Sequence, residues 1–279
     1  MKAENFDFFC KFLQKETGTA LGPGKEYLVE SRLAPIARTY KLADTDAVVA
    51  AMKAGANMPL VRECLAAMMT HESFFFRDIR PFDDFRKHVL PGLIERRAGT
   101  RKLRIWCAAA STGQEPYSLA MIIQEEAAKL AGWSVELIAT DISPAALTYA
   151  REGLYTHFEV QRGLPAQLLV KYFAKEATNW RIAPAIRNMV SYREFNLLDD
   201  PGTLGSAFDV VFCRNVLIYF DQDTKGRVLE RIARRMPNDG VLFLGGAETV
   251  IGITTRFAPL ASFRGIYAPG AAPAFAVAS

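Results

Sequence analysis

Histidine and cysteine are scarce. The 279 residues hold three histidines, His71, His88 and His157, and four cysteines, Cys10, Cys64, Cys107 and Cys213. No HExxH run and no CxxC pair occurs, so neither a hydrolytic nor a structural metal is expected, and such widely spaced thiols make no disulfide framework. An apolar run of about 18 residues, the length that spans a bilayer, is missing. The opening MKAENFDFFC is too polar for a signal peptide. A cytoplasmic protein with no membrane insertion is expected. Charge of one sign is lacking too: 34 Lys and Arg against 30 Asp and Glu leave a net charge of +4, too mild for a general nucleic-acid binder. The GxGxxG of dinucleotide folds is absent, and no internal repeat occurs. What is plentiful is apolar material, 50% of the chain with 23% charged, which excludes a disordered protein and allows one large domain or two smaller ones.

The first seventy residues read as helices. Phe6, Phe9, Phe12 and Leu13 recur at helical spacing, Gly22-Pro23-Gly24 interrupts, and a second helix over about 25–40 carries Tyr27, Leu28, Leu33 and Ile36, with Pro35 inside it. Asp44 or Thr45 is the natural cap of a third helix, and a fourth runs from Pro59 or Leu60 to Met69.

From residue 103 short apolar runs alternate with helical patterns. Strands are expected at 103–108, 135–141, 208–213 and 241–244, with helices opening near Pro116, at Ser143-Pro144 and over 221–236. This alternation predicts a parallel sheet covered on both faces. Arg256–Tyr267 has the pattern of an antiparallel hairpin at the sheet edge, and 271–279 that of a frayed tail. The segment 172–189 fits the alternation poorly; Trp180-Arg-Ile182 predicts a small β excursion there.

In such a sheet ligands bind beyond the carboxyl ends of the strands. The loop Ala108–Gly113 after the first strand has a single glycine, which argues mildly against NAD or FAD. Asp141, ending the second strand, reads equally as an acceptor of two ribose hydroxyls or as the N-cap of the next helix. Glu115 lies in the first helical turn, where it complements the helix dipole or binds a cationic ligand. Arg214 reads equally as a substrate guide or a surface ion-pair partner, and Phe74–Phe76 as interdomain packing or as a water-excluding wall.

Four stretches together carry a family resemblance: Thr70-His-Glu-Ser-Phe-Phe-Phe-Arg-Asp78, Ala108-Ala-Ala-Ser-Thr-Gly-Gln-Glu-Pro-Tyr-Ser118, Thr140-Asp-Ile-Ser143 and Phe208-Asp-Val-Val-Phe-Cys-Arg-Asn-Val-Leu-Ile-Tyr-Phe-Asp221. In order and spacing the chain resembles the chemoreceptor glutamate O-methyltransferases, the CheR family of bacterial chemotaxis, over about residues 5–268. The resemblance implies an α/β fold: a Rossmann-like class I S-adenosylmethionine-dependent methyltransferase domain with a small antiparallel β subdomain, preceded by an all-helical N-terminal domain. The implied organisation is 1–70 helical and receptor-recognising, 71–80 an interdomain linker contributing to the cofactor site, 81–270 the methyltransferase domain with the small β subdomain at about 172–192, and 271–279 a flexible tail.

The resemblance also implies roles. Arg77 neutralises the cofactor's methionine carboxylate; Ala109 and Glu115 line the cofactor, Glu115 facing its charged amino-acid part; Asp141 holds the ribose; Asn196 and Leu197 flank the adenine; Asn215 and Tyr219 sit beside the methyl group. Ser73 stands where many members have Thr and keeps the hydroxyl. Gln114 stands where members have an acid, which removes one charge. Arg77, Tyr219 and Asn215 are the expected catalytic residues. The implied partner is the acidic cytoplasmic helical bundle of chemoreceptors, with Lys25, Arg32 and Arg38 as docking candidates. Some members bind a receptor C-terminal pentapeptide and tend to carry a Gly-rich insertion near residue 175; Ala174-Lys-Glu-Ala-Thr-Asn179 has no glycine, so no pentapeptide binding is expected. A monomer is expected. Two other readings stand beside this one: a sensor module that binds S-adenosylmethionine or S-adenosylhomocysteine without turnover, and a nicotinamide-dependent oxidoreductase. A methyltransferase acting on some other protein carboxylate is a variant of the first.

Overall fold

A computed structural model describes residues 1–55 and 57–270; the expected tail, 271–279, lies outside them. The chain divides into two compact units. One comprises Met1–Thr70 with Tyr219–Thr224, the other His71–Ile218 with the described residues from Lys225 onward.

The first unit is helical: α1 Ala3–Thr17, α2 Glu26–Thr39, α3 Thr45–Lys53 and α4 Met58–Met68. Local chemistry sets each boundary. Gly18, at φ 79°, takes the left-handed conformation that closes α1. Asp44 caps α3 by accepting from Ala47 N, and Asn57 caps α4 by accepting from Leu60 N. The helix α2 continues through Pro35. Phe9, Leu13, Val29, Leu33, Val48, Val49 and Cys64 form a core that is fully buried.

The second unit opens with α5 Arg80–Asp84, a π-helical turn Phe85–Val89 and α6 Leu90–Arg96. Then come β1 Lys102–Cys107, α7 Gln114–Glu125, β2 Ser134–Asp141 and α8 Pro144–Glu152. An excursion follows: β3 Leu154–Thr156, α9 His157–Gln161, α10 Ala166–Tyr172, β4 Phe173–Glu176, β5 Asn179–Ile182 and α11 Pro184–Arg187. The chain returns with β6 Val190–Glu194, β7 Val210–Cys213, α12 Gln222–Ala233, β8 Val241–Leu244, β9 Phe257–Pro259 and β10 Ile266–Pro269. The main sheet has the order β6-β2-β1-β7-β8-β10-β9. Its β6, β2, β1, β7 and β8 run parallel, and β10 and β9 add an antiparallel edge. The excursion forms a three-stranded antiparallel sheet, β3-β5-β4, whose hairpin turns over Ala177 and Thr178.

Two strands were not anticipated. β6 buries only its first residue fully, because it is the edge of the main sheet, and an edge strand needs few apolar side chains. β3 is only three residues long, below the length at which alternation is readable. The strand expected from 208 starts at Val210, and the helix expected over 221–236 occupies Gln222–Ala233. Phe75 and Phe76 are core residues of the second unit, packed with Phe82, Phe85, Tyr155 and Phe173, so the interdomain-packing reading of the phenylalanine run gives way to packing within one core.

Candidate functional site

Strand order fixes where a ligand goes. After β1 the chain builds outward through β2 to β6, then crosses back to lay β7 on the other flank of β1. That reversal opens a crevice beyond the strands' carboxyl ends, which are Cys107, Asp141, Glu194 and Cys213. Of the residues expected in the site, Ala109, Glu115, Asp141, Asn196, Leu197 and Asn215 lie at or after those ends, whereas Ser73 and Arg77 precede β1.

The loop after β1 is fastened on both sides, by Ala108 N to Phe212 O at 2.8 Å and Ala110 N to Thr140 O at 2.9 Å. Ala109 between them is partly exposed, whereas its neighbours are buried. Ser111, at φ 49°, turns its N–H onto Asp141 Oδ2 (2.8 Å) and its hydroxyl onto His71 O (3.0 Å). Gly113 then begins α7 at φ 96°; a Cβ there would lie 2.8 Å from Ala150 Cβ and from the Tyr192 hydroxyl oxygen. The loop's single glycine thus serves packing behind the loop.

Asp141 is 7% exposed. Its Oδ1 accepts from Ser143 N at 2.9 Å and its Oδ2 from Ser111 N. Burial pushes its carboxyl above the usual range, while these backbone N–H groups and the nearby His71 pull the other way. The N-cap alternative is corrected: Ser143 caps α8, its Oγ accepting from Ala146 N.

Arg214 follows β7 and is neither a surface ion-pair partner nor a free guide. Its side chain is 1% exposed. Nη1 donates to Glu115 Oε2 (2.9 Å), and Nη2 to Asp78 Oδ2 (2.7 Å) and Arg77 O (2.9 Å). It therefore ties the end of β7 to the first turn of α7 and to the segment 77–78. Around that segment Phe76, Asp78 and Ile79 have φ of 50°, 68° and 52°, a strained run that needs such anchoring. Burial raises the Glu115 carboxyl and Arg214 opposes the shift. One Glu115 oxygen, Oε2, is thus committed to Arg214.

Asn215, at φ 58°, is held by Glu248, whose Oε2 accepts from Asn215 N (2.8 Å) and Gly245 N (2.6 Å) and whose Oε1 accepts from Val216 N (3.0 Å). A Cβ at Gly245 would sit 2.8 Å from Asn215 Nδ2, so only glycine lets that side chain lie there. Beyond β6, Asn196 Oδ1 accepts from Leu198 N in a local turn, and Leu197 is buried. Ser73 and Arg77 are partly buried on the 71–78 segment. Arg77 Nη1 donates to Glu72 O (2.9 Å), and its guanidinium lies 5.3 Å from the Phe74 ring centroid. Tyr219 ends a 3₁₀ turn, Leu217–Tyr219, and falls in the first unit, where its carbonyl accepts from Ala20 N. In that unit Lys25 and Arg38 are exposed, but Arg32 donates to Ala67 O, Met69 O and Thr70 Oγ1.

Sequence reading missed Asp78 and Glu248 and misjudged Arg214. A charged residue directly after the apolar run Val210–Cys213 was a signal for a buried cation; nothing local marked Glu248.

Comparison with known proteins decides the family. The description "CheR methyltransferase, SAM binding domain" matches residues 71–266, and "CheR methyltransferase, all-alpha domain" matches residues 4–69. The chain belongs to the CheR methyltransferase family. It is 41% identical over 264 residues to chemotaxis protein methyltransferase 1 of Pseudomonas aeruginosa, covering 92% of this chain and 95% of that protein. It is 39% identical over 253 residues to chemotaxis protein methyltransferase 1 of Vibrio cholerae, covering 89% and 90%. With the chemotaxis protein methyltransferase of Escherichia coli it shares 31% over 258 residues, 91% of this chain and 87% of that one. It is a chemotaxis methyltransferase that uses S-adenosylmethionine, and neither the oxidoreductase nor the sensor reading is favoured.

The residues present fit that cofactor. A carboxylate has about four acceptor positions. Asp141 accepts one N–H on each oxygen, from Ser143 and Ser111, and retains acceptor capacity for ribose hydroxyls. Arg77 makes no hydrogen-bonded ion pair among the described residues, although its charge acts through space on Glu72 and Glu115, so its guanidinium can still receive a carboxylate. Among the described residues no helix is long and apolar enough to cross a membrane.

Proposed function

We propose that the chain methylates glutamate side chains on the cytoplasmic helical bundles of chemoreceptors, giving glutamate methyl esters and S-adenosylhomocysteine. The observation that carries this reading is a pair of complementary groups: a buried carboxylate at the end of β2, and the Arg77 cation, which makes no hydrogen-bonded ion pair among the described residues.

When bound, S-adenosylmethionine supplies a methyl group on a positively charged sulfur. The chain's own residues do the rest by positioning. Arg77 receives the methionine carboxylate, with Ser73 beside it; Ala109 and Glu115 line the amino-acid end; Asp141 accepts from the ribose hydroxyls; Asn196 and Leu197 flank the adenine. Asn215, fixed by Glu248, and Tyr219 orient the incoming carboxylate. A glutamate side chain has a pKa of about 4.3 and is already ionised at neutral pH, so no general base is needed. Orientation of pre-formed reactants is worth about 7–11 kcal/mol, and the burial around Glu115 and Arg214 keeps water from the reacting charges.

Lys25 and Arg38 present exposed positive charge to an acidic bundle. Arg32 holds the carboxyl end of α4 instead. Pentapeptide independence is supported by the tight hairpin between β4 and β5, which turns over Ala177 and Thr178 with no glycine insertion.

The test is transfer of labelled methyl from S-adenosylmethionine to receptor cytoplasmic domains with and without a C-terminal pentapeptide. Base-labile release of labelled methanol, equal for both receptor forms, is expected. A base-stable product, or transfer only to tailed receptors, overturns the corresponding part. Arg77→Ala and Tyr219→Phe are expected to impair transfer in a folded protein; normal turnover by either rejects its role.

A further inference from the structure

The turn between α9 and α10 reaches the cofactor segment. Arg162, in that turn, places its guanidinium 4.3 Å from the Phe74 ring centroid, and Arg77 shares the same ring at 5.3 Å. Arg162 Nη2 also meets Glu72 Oε1 at 2.6 Å, while Arg77 Nη1 donates to Glu72 O at 2.9 Å. The two arginines thus share one aromatic ring and one glutamate, and of the two it is Arg162 that is hydrogen-bonded to the carboxylate.

The approach is built into the backbone. The next residue, Gly163, has φ +83°, and a Cβ there would lie 2.1 Å from Phe75 O and 3.3 Å from the Phe74 ring. Only glycine lets this turn press on the main chain of 74–75. Arg162 therefore acts at a fixed place on the segment. Its pairing with Glu72 holds that carboxyl below the usual range. With Glu72 hydrogen-bonded to Arg162, Arg77 meets that carboxylate only through space and makes no hydrogen-bonded ion pair with it, and its planar group stays registered on Phe74.

We propose that Arg162 is a positioning residue for methyl transfer: it fixes Phe74 and occupies Glu72, and through them holds the Arg77 guanidinium ready for the cofactor carboxylate. The excursion that carries the small sheet is thereby wired to cofactor affinity. This rests on Arg77 receiving that carboxylate, so the experiment separates the two ideas.

S-adenosylhomocysteine binding is measured by calorimetry for the full chain and for Arg162→Ala, Arg162→Lys, Phe74→Leu, Arg77→Ala and the double variant Arg77→Ala/Arg162→Ala, with thermal melts to establish folding. Arg162→Ala is expected to weaken binding about fivefold, the scale of one exposed cation–π contact and one exposed ion pair. Arg162→Lys, which keeps the pair with Glu72, loses less, and Phe74→Leu reproduces the Arg162→Ala loss. In steady-state assays the loss falls on KM for the cofactor and leaves kcat at saturation nearly unchanged. On the Arg77→Ala background, Arg162→Ala changes nothing further. An undiminished Arg162 effect on that background overturns the proposal and leaves Arg77's role intact. Wild-type affinity in Arg77→Ala overturns both. Should Arg162→Ala not fold, Phe74→Leu and Arg162→Lys decide the matter by the same comparison.

Discussion

Asp141, the proposed acceptor of the ribose hydroxyls, is expected to couple protonation to binding. Burial raises its carboxyl, and the N–H groups of Ser143 and Ser111 together with His71 only partly offset this. Hydroxyl donors from a ribose favour the ionised form. Binding therefore has full strength above the raised pKa and weakens as pH falls through it, by at most about tenfold per pH unit for one proton. S-adenosylhomocysteine titrations from neutral to mildly acidic pH are expected to show that fall, and Asp141→Asn to bind weakly without it; a pH-independent wild-type affinity would reject the coupling. For the folded apo-protein the sign is opposite, since ionising a buried carboxyl costs stability, so this residue's contribution falls as pH rises between its unfolded and folded values. Asp141 was legible beforehand as a candidate because it ends an apolar strand, though position alone left it equally a ribose acceptor or an N-cap. Arg214 was not, because its partners Glu115 and Asp78 lie 99 and 136 residues away and no local pattern encodes such a meeting.

At the scale of elements, caps and turns decide which residues are free for function. Arg32 was read as a docking cation from its place on α2, yet its guanidinium closes α4 through Ala67 O and Met69 O and reaches Thr70 Oγ1. A cation hydrogen-bonded to a helix carboxyl end is worth about 1–2 kcal/mol in a partly buried setting. Arg32→Glu should therefore lower the denaturation midpoint of the helical unit, whereas Lys25→Glu and Arg38→Glu should leave it unchanged and weaken receptor methylation. A receptor-specific defect in Arg32→Glu with an unshifted melt would return Arg32 to the docking face. Helical spacing showed which residues share a face, and Asp44, Ser143-Pro144 and the hairpin region were readable from capping and turn chemistry. The destination of a long side chain was not, because it depends on where another helix ends. β6 escaped for a similar reason, since an edge strand carries little apolar signal.

Among the described residues one apolar core is made by helices packed on helices, and a separate one lies against the sheet. Their separation was visible as a change of periodicity near residue 100, from helical spacing to short apolar runs, since each layer type demands its own repeat. Separate cores give separate energetic consequences. Leu33 is 0% exposed in the helical core. Leu33→Ala removes buried methyl groups at a cost of about 2–5 kcal/mol. Phe212 stacks on Phe243 with ring centroids 4.2 Å apart in the other core, directly beneath the strand end that leads to Arg214 and Asn215. Under conditions where both variants remain folded, Leu33→Ala is expected to lower the midpoint in a denaturant titration while S-adenosylhomocysteine affinity stays within about twofold of wild type, less than 0.5 kcal/mol by the usual conversion. Phe212→Ala is expected to lower both, because the anchor of the site shifts with its strand. Equal losses of cofactor affinity in the two variants would mean that the helical core sets the geometry of the crevice as well, and that the two cores do not act independently.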